Sequence, residues 1–180
     1  MNNVTLRIVA ELATGHFCSG PQLAKILGIS RTAVWKHIQR LSDYGIEVFS
    51  VPGKGYRLAV PLQLLDHKRL CESVVDSESS FFGRLEILSS IDSTNSYLRE
   101  LANQGEPNGT VLIAEHQTGG RGRRGRRWIS PFACNLYCSI LWRFADIQHG
   151  LSGLSLAIGV ALVEALESMG MSGVQLKCPN

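Results

Sequence analysis

The apolar residues at the start of the chain recur at intervals of three and four, which is the spacing of amphipathic helices. A first helix that ends at Gly15 is predicted by Leu6, Ile8, Val9, Leu12 and Ala13. Ser19 is a typical helix cap, and Pro21 fits the first turn of a second helix. The buried face of that helix is predicted to carry Leu23, Ile26 and Leu27.

A third helix and a hairpin follow. The helix is predicted over residues 31 to about 44, capped by Ser30 and stopped by Gly45, with Val34, Ile38 and Leu41 pointing inward. Two short strands, residues 47–51 and 56–58, are joined by Pro52-Gly53-Lys54-Gly55, a sequence typical of a tight turn. Helices followed by a hairpin predict a winged helix-turn-helix.

This pattern is compatible with DNA binding, in which the third helix would lie in the major groove and the hairpin would contact phosphates. The alternative is a small helical packing module whose charges are merely solvated. The basic Gly-Lys-Gly tip of the hairpin favours DNA. The predicted DNA-binding residues are Ser30, Arg31, Thr32, Trp35, Lys36, Gln39 and Lys54.

Strands and helices alternate in the rest of the chain. After a linker at residues 59–61, helices are predicted at residues 62–71, 92–101 and 151–169. Strands are predicted at residues 85–89, 110–115 and 135–144, with a further strand beginning at residues 174–177. The overall prediction is therefore an α+β chain with a winged helix-turn-helix at 1–61 and an α/β-type domain at 62–180.

Composition excludes several classes of protein. A hydrophobic content of 44% and a charged content of 18% favour a folded core, and the net charge of +3 does not by itself require a nucleic-acid partner. No apolar run of membrane-spanning length and no signal peptide are found, so we expect a cytoplasmic protein. The five cysteines are scattered, so we expect neither a disulfide framework nor a metal site.

The segment 117–128 is the most unusual part of the chain. Five arginines fall within seven residues and alternate with glycines, from Arg121 to Arg127. Arginine binds phosphate through two parallel hydrogen bonds, and glycines let backbone amides approach an anion closely. Trp128 directly after them offers a flat surface for a base. We therefore expect a loop that orders around a nucleotide.

We call residues 117–128 the arginine loop. Three other interpretations of this segment compete with a nucleotide-binding loop. Gly120, Gly122 and Gly125 match the dinucleotide fingerprint, but the fingerprint requires a helix to begin there and Pro131 prevents one. A general basic patch for nucleic acid remains open. A merely solvated charge run is disfavoured by the glycine spacing.

A set of motifs, taken in order, closely resembles the bacterial biotin–protein ligases. The resemblance covers the whole chain, and the N-terminal part looks like the repressor domain of the bifunctional members, the biotin operon repressors. It rests on Ile91-Asp92-Ser93-Thr94-Asn95, Ala114-Glu115-His116-Gln117, Gly120 to Trp128, Ser130-Pro131, Asn135-Leu136-Tyr137 and, for the repressor domain, residues 51–56.

The resemblance implies a class II synthetase-like catalytic fold and a two-step reaction. Biotin and ATP, with Mg²⁺, would form biotinyl-5′-adenylate, and a lysine of the biotin carboxyl carrier protein would then accept the biotin. The adenylate-bound form would dimerise and repress at the biotin operator. The implied biotin and adenylate contacts are Ser93, Thr94, Asn95, Gln117, Gly120, Arg121, Arg123 and Trp128, and the implied catalytic residues are Arg121, Arg123 and Lys177.

The chain departs from the family pattern at its end. Cys178 stands where the family has a tryptophan, which removes an aromatic wall beside the ligand. We also expect the catalytic domain to be incomplete after Asn180. The alternative function is consequently a DNA-binding regulator that senses a ligand but has no ligase activity.

Overall fold

The structure is a computed structural model that describes residues 1–75, 83–145 and 151–177. The chain divides into two units, Met1–Trp142 and Arg143–Asn180. The helices are α1 (Asn3–Leu12), α2 (Gly20–Leu27), α3 (Arg31–Gln39), α4 (His67–Val75), α5 (Thr94–Asn103) and α6 (Leu154–Ser168). The strands are β1 (Val48–Val51), β2 (Gly55–Leu58), β3 (Arg84–Leu88), β4 (Thr110–Ala114) and β5 (Tyr137–Ile140).

Local capping determines where the second and third helices begin. The Ser19 side chain accepts from the Gln22 backbone amide while the Gln22 side chain accepts from the Ser19 amide, which completes a capping box at α2. Gly28 ends α2 in the left-handed region at φ 68°, which a residue with a side chain rarely adopts. Ser30 then caps α3 by accepting from the Ala33 amide, as predicted.

Three helices and the β1–β2 hairpin surround one hydrophobic core. Its buried members are Ile8, Val9, Leu12, Leu23, Leu27, Val34, Ile38, Leu41, Ile46, Leu58 and Phe132. The prediction that Ile26 belongs to this core is wrong, since its side chain is 46% exposed. Leu23 and Leu27 lie one turn apart on the buried side of α2. Ile26 is rotated about the helix axis by about 60° from Leu23 and by about 100° from Leu27, which turns its side chain toward solvent.

Two predicted helices end or begin elsewhere. The third helix is α-helical only to Gln39, and residues Arg40–Tyr44 form a tighter 3₁₀ turn before Gly45. The helix predicted at 62–71 begins only at His67. Residues 62–66 are instead held by long-range bonds, because the Leu62 amide donates to the Ala13 carbonyl and the Leu65 amide donates to the Glu115 carboxylate.

The second half of the first unit is built on a three-stranded sheet of order β3-β4-β5. β3 and β4 are parallel, with α5 between them in the chain, and β5 runs antiparallel to β4. Every residue of the central strand β4 is buried. The last residues of β4 therefore lead directly to the region where α5 begins, and this arrangement positions the candidate site.

Two strand predictions need correction. β5 covers Tyr137–Ile140 and not residues 135–144, because its partner β4 spans only Thr110–Ala114. The strand predicted at 174–177 is not formed: among the described residues no strand pairs with this segment, and a strand is stable only with a partner. In the second unit, the Leu176 side chain lies against Gly159 of α6.

The winged helix and the sheet share contacts within the first unit. Phe132, from the loop before β5, is 1% exposed in the winged-helix core. The His116 ring packs edge-on against Tyr44 with 5.5 Å between ring centroids. The Leu65 amide reaches the Glu115 carboxylate at 2.6 Å. These three contacts join elements that are far apart in the chain. No described helix is long and apolar enough to cross a membrane.

Burial shifts the pKa of both titratable groups at this junction. The pKa of Glu115 is raised by desolvation, which outweighs the opposing effect of the hydrogen bond from the Leu65 amide. The pKa of His116 is lowered, first by desolvation and then by the positive N-terminal amine. Both shifts favour the neutral forms of these side chains in the folded protein.

Leu23→Ala should destabilise the winged helix by about 2–5 kcal/mol, because it leaves a cavity where a fully buried side chain packed. Ile26→Ala on the same helix is the matched control and should cost much less, since Ile26 is half exposed. Urea unfolding of the two variants measures the difference. Equal losses would contradict the packing described above.

Glu115→Gln should make stability less dependent on pH. The raised pKa means that folding disfavours the ionised carboxylate, so wild-type stability is full below the unfolded pKa and falls as pH rises through the folded pKa. Glutamine stays neutral and still accepts from the Leu65 amide. Urea midpoints between about pH 5 and 8 should diverge in favour of the variant as pH rises. Glu47→Gln, at an exposed carboxylate, should track wild type.

Candidate functional site

One face of the winged helix is polar and exposed. All seven predicted DNA-binding residues point into solvent: Ser30, Arg31, Thr32, Trp35, Lys36, Gln39 and Lys54. Arg31, Thr32 and Trp35 also line an open groove, together with the start of α2 and the wing residues Ser50–Gly53, Gly55 and Tyr56. The first turns of α3 thus share one groove with the wing.

Two cations of the wing rest on aromatic rings. The Arg57 guanidinium carbon lies 4.9 Å from the Phe17 ring centroid and 5.7 Å from that of Phe49. The Lys54 ammonium lies 5.9 Å from the same Phe17 ring. These cation–π contacts hold the positive charge of the wing in place at its surface. Positive charge in a fixed position suits contacts with phosphate.

A hydrogen-bonded polar group forms where β4 ends and α5 begins. The Thr94 amide and hydroxyl donate to Gln117 Oε1 at 2.8 and 3.2 Å, and Gln117 Nε2 donates to Ser130 Oγ at 3.4 Å. The Ser139 hydroxyl, from β5, donates to Thr94 Oγ1 at 2.9 Å. We call Thr94, Gln117, Ser130 and Ser139 the amide cluster. It offers donors and acceptors that are already oriented for a small polar ligand.

Ser93 places this cluster at the start of α5. Its side chain caps the helix by accepting from the Ser96 amide, and its own amide donates to Asp92 Oδ1 at 2.7 Å. Ser93 and Thr94 are both buried, whereas Asn95 is exposed. The helix therefore begins at the wall of the site, and Asn95 lies on its solvent side.

Gly120 lies against the amide cluster at the base of the arginine loop. A Cβ there would stand 2.8 Å from Ser130 Oγ and 2.9 Å from the Trp128 carbonyl oxygen, so no larger residue fits without displacing backbone. The Gly120 carbonyl accepts from the Trp128 amide at 2.8 Å, and the Arg126 carbonyl accepts from the Gly122 amide at 2.7 Å. The loop is thus a narrow antiparallel excursion that leaves from and returns to the amide cluster.

The charged part of the loop extends into solvent. Arg121 is exposed, Trp128 is 59% exposed, and Arg123 begins a short 3₁₀ turn, Arg123–Gly125. The side chain of Arg123 lies outside the described residues. The structure therefore brings Ser93, Thr94, Gln117 and Gly120 together, with Arg121 and Trp128 on the two strands of the loop above them.

Two predicted features lie elsewhere. Lys177 is exposed and belongs to the second unit, and Cys178 lies outside the described residues. The described residues contain no group of three or more His, Cys, Asp or Glu side chains that could hold a metal ion.

Sequence reasoning missed Ser130 and Ser139 as members of the site. Both are serines with no local pattern of their own, and each reaches the site through tertiary pairing. Ser130 did carry one signal, since it belongs to the family motif directly after the arginine loop. Ser139 lies in a strand, where side chains alternate between the two faces. That alternation does not show which face is functional.

The arrangement can bind an anionic, planar ligand at two levels. The amide cluster supplies neutral donors and acceptors in a buried setting, where hydrogen bonds discriminate strongly. Above it, the exposed arginines supply positive charge that can close on a phosphate. A ligand with a polar ring at one end and a phosphate at the other would use both parts.

Comparison with known proteins assigns the two halves to families. A model described as an HTH domain matches residues 5–57, and the model of the biotin/lipoate A/B protein ligase family matches residues 87–180. The predicted order of a helix-turn-helix domain followed by a biotin ligase domain is confirmed. The predicted relationship to the bifunctional ligase/repressors is confirmed by the relatives that follow.

The chain is 46% identical over 179 residues to the bifunctional ligase/repressor BirA of Escherichia coli (strain K12), covering 99% of this chain and 54% of the relative. It is 34% identical over 175 residues to the protein of that name from Bacillus subtilis (strain 168), covering 93% and 51%. A solved biotin protein ligase from Aquifex aeolicus in complex with biotin and ATP is 38% identical, with a TM-score of 0.47, covering 55% of this chain and 40% of that one.

The chain spans about half the length of these curated relatives. Since the ligase family model matches residues 87–180, over half of the chain, the chain belongs to the biotin/lipoate A/B protein ligase family.

Proposed function

We propose that the chain binds biotin and ATP to form biotinyl-5′-adenylate, as part of a biotin–protein ligase that also represses the biotin biosynthesis genes. The observation that carries this proposal is the amide cluster at the base of the arginine loop. The names of the relatives, which combine ligase and repressor, support the same pairing of activities. Residues 1–61 would contact the operator, and residues 62–180 would bind the substrates.

The amide cluster would bind the ureido ring of biotin. A ureido group carries two N–H donors and a carbonyl acceptor, and Thr94 and Gln117 present side chains of both kinds at a buried wall. Ser93 and Asn95 would complete this wall at the helix start. Gly120 would contribute at the edge of this wall, where the absence of a Cβ lets the loop backbone pack directly against Ser130 and Trp128.

The arginine loop would serve the adenylation step. A carboxylate oxygen of biotin attacks the α-phosphorus of ATP, the bond to the pyrophosphate oxygen breaks, and pyrophosphate leaves. Arg121 and Arg123 would stabilise the charge that grows on the phosphate, and Trp128 would stack near the adenine. Mg²⁺ bound to the triphosphate would neutralise part of its charge.

The second step transfers biotin to a protein. The amine of a lysine on the biotin carboxyl carrier protein attacks the acyl carbon of the adenylate, AMP leaves, and an amide bond forms as the amine loses its proton. Closure of the loop over the mixed anhydride would keep water away before the carrier protein arrives. By its place in the family motif, Lys177 would act in catalysis, and its side chain is exposed.

The winged helix would bind the biotin operator. The exposed residues at the start of α3 would enter the major groove, and Lys54 would contact phosphate from the wing. The adenylate-bound protein would bind as a homodimer, so that the metabolite controls repression. The competing proposal is a ligand-sensing DNA-binding regulator without ligase activity, and it is supported by the exposure of all seven predicted DNA-binding residues.

We expect the purified chain, mixed with biotin and Mg-ATP, to yield biotinyl-adenylate in mass spectrometry. Arg121→Ala should lower the rate of its formation by about 10²-fold or more, because charge stabilisation is lost at the transferring phosphate. Arg126→Ala makes the same charge change in the same loop and should retain most of the rate. A chain that is folded by circular dichroism yet forms no adenylate would favour the regulator.

Lys54→Ala should weaken binding to generic duplex DNA and reduce the slope of log K against log salt by about 1, because one phosphate contact is lost. Fluorescence anisotropy over a salt series measures the slope. Lys68→Ala removes the same charge from α4, where Lys68 pairs with Glu72, and should leave the slope unchanged. Identical behaviour of both variants would remove the wing from the interface.

A further inference from the structure

We propose that Phe132 is a positioning residue for the ligand site, through which the core of the winged helix holds the amide cluster in its binding geometry. The connection runs along residues 128–133, which we call the strap. This inference deepens the proposed function and takes the identity of the ligand, biotin, from it. The packing and hydrogen bonds of the strap carry the argument.

One end of the strap is buried in the DNA-binding domain. The Phe132 side chain is 1% exposed, and the other buried members of its cluster in the described residues all come from the winged helix. The Phe132 amide faces the Tyr44 carbonyl at 3.5 Å. A large ring enclosed on all sides cannot shift without disturbing the helices around it, since protein interiors are closely packed.

The other end of the strap belongs to the ligand site. Ser130, two residues before Phe132, is 4% exposed and accepts from Gln117 Nε2, and residues 117 and 130 pair as an isolated β-bridge. The Trp128 amide donates to the Gly120 carbonyl. Gln117 in turn fixes the Thr94 amide and hydroxyl. The Ser130–Gln117 contact thus lies two residues from Phe132 in the chain, and Gln117 connects it to Thr94.

The middle of the strap is stiff. Ser130 and Phe132 are buried, whereas Ile129 between Trp128 and Ser130 is 81% exposed, which is the alternation of an extended segment. The Pro131 carbonyl accepts from the buried Tyr137 hydroxyl at 2.9 Å. The Ala133 amide donates to the Glu115 carbonyl at 2.8 Å. Because it is tied on both sides, the strap transmits a displacement of Phe132 to Ser130 and cannot absorb it.

The physical consequence is that the packing of Phe132 and the binding of the ligand are thermodynamically coupled. If the packing of Phe132 favours the binding geometry of Ser130 and Gln117, then a ligand held by those residues favours the packing of Phe132 to the same degree. The alternative is that Phe132 merely fills space in the core. In that case any substitution that destabilises the winged helix to the same extent would have the same effect on the ligand site.

The test uses the full chain with three substitutions. Phe132→Ala removes the ring, and Phe132→Leu keeps most of its volume. Leu58→Ala is the matched control, because Leu58 is 1% exposed in the same core but belongs to β2, outside the strap. Urea unfolding ranks the three by stability. Isothermal titration with biotin is then performed where circular dichroism shows each variant to be folded.

We expect Phe132→Ala to raise the dissociation constant of biotin by about tenfold, a change of ordinary size for coupled sites. Phe132→Leu should restore most of the affinity, and Leu58→Ala should leave it within about twofold of wild type. Equal weakening by Phe132→Ala and Leu58→Ala, or no weakening by Phe132→Ala, would overturn the proposal.

A ligand-free measurement separates this inference from the proposed function. Hydrogen exchange at the amides of Thr94 and Trp128 should be faster in Phe132→Ala than in wild type and unchanged in Leu58→Ala, because both amides bond within the site. If wild type fails to bind biotin, the proposed function fails and this exchange result alone decides the role of Phe132. If Phe132→Ala is unfolded, Phe132→Val replaces it, because valine leaves a smaller cavity; faster exchange at both amides is then expected, and unchanged exchange in that variant overturns the proposal.

Discussion

Burial of β4 is the constraint on which the remaining structure depends. This strand lies between β3 and β5, and all five of its residues are buried, so a shift in its register would expose apolar side chains and break pairing on both edges. The three residues that follow therefore have fixed positions. Glu115 accepts from the Leu65 amide, His116 packs on Tyr44 of the winged helix, and Gln117 anchors the amide cluster.

The site combines two environments because its two kinds of polar group have different requirements. Polar groups that are removed from water must be paired, and Thr94, Gln117, Ser130 and Ser139 hydrogen-bond to one another. Guanidinium groups stay in water, because burial of an unpaired cation is costly. The arginine side chains that the structure describes in the loop, Arg121, Arg124, Arg126 and Arg127, are consequently exposed.

The two halves of the chain are less separate than their family assignments imply. The helix-turn-helix match ends at residue 57, yet Phe132 completes the core of that domain and the Leu62 amide donates to the carbonyl of Ala13, just after α1. Tyr44 and His116 add an aromatic contact at the same junction. A core that takes one of its side chains from the other half of the first unit joins the two halves through packing as well as through hydrogen bonds.

The sequence alone determined the features that depend on neighbouring residues. Ser19, Gly28 and Ser30 set the ends of α2 and α3 through bonds that span a few positions, so their roles were predictable. The motif of the arginine loop likewise identified the family, and its charge and glycine content led to the prediction of a nucleotide site. Helix caps and short motifs depend only on residues a few positions apart, so they can be predicted from the sequence alone.

Tertiary structure decided the features that depend on partners distant in the chain. Ile26 is exposed because the neighbouring helices cover only the stripe of Leu23 and Leu27, and residues 62–66 are not helical because their amides bond to Ala13 and Glu115. Ser139 joins the site, and Phe132 joins the winged-helix core, only once the sheet has formed. Nothing in the sequence around a serine or a phenylalanine shows whether its side chain belongs to a site or to a core. Its contact partners decide this, and only the fold brings those partners to it.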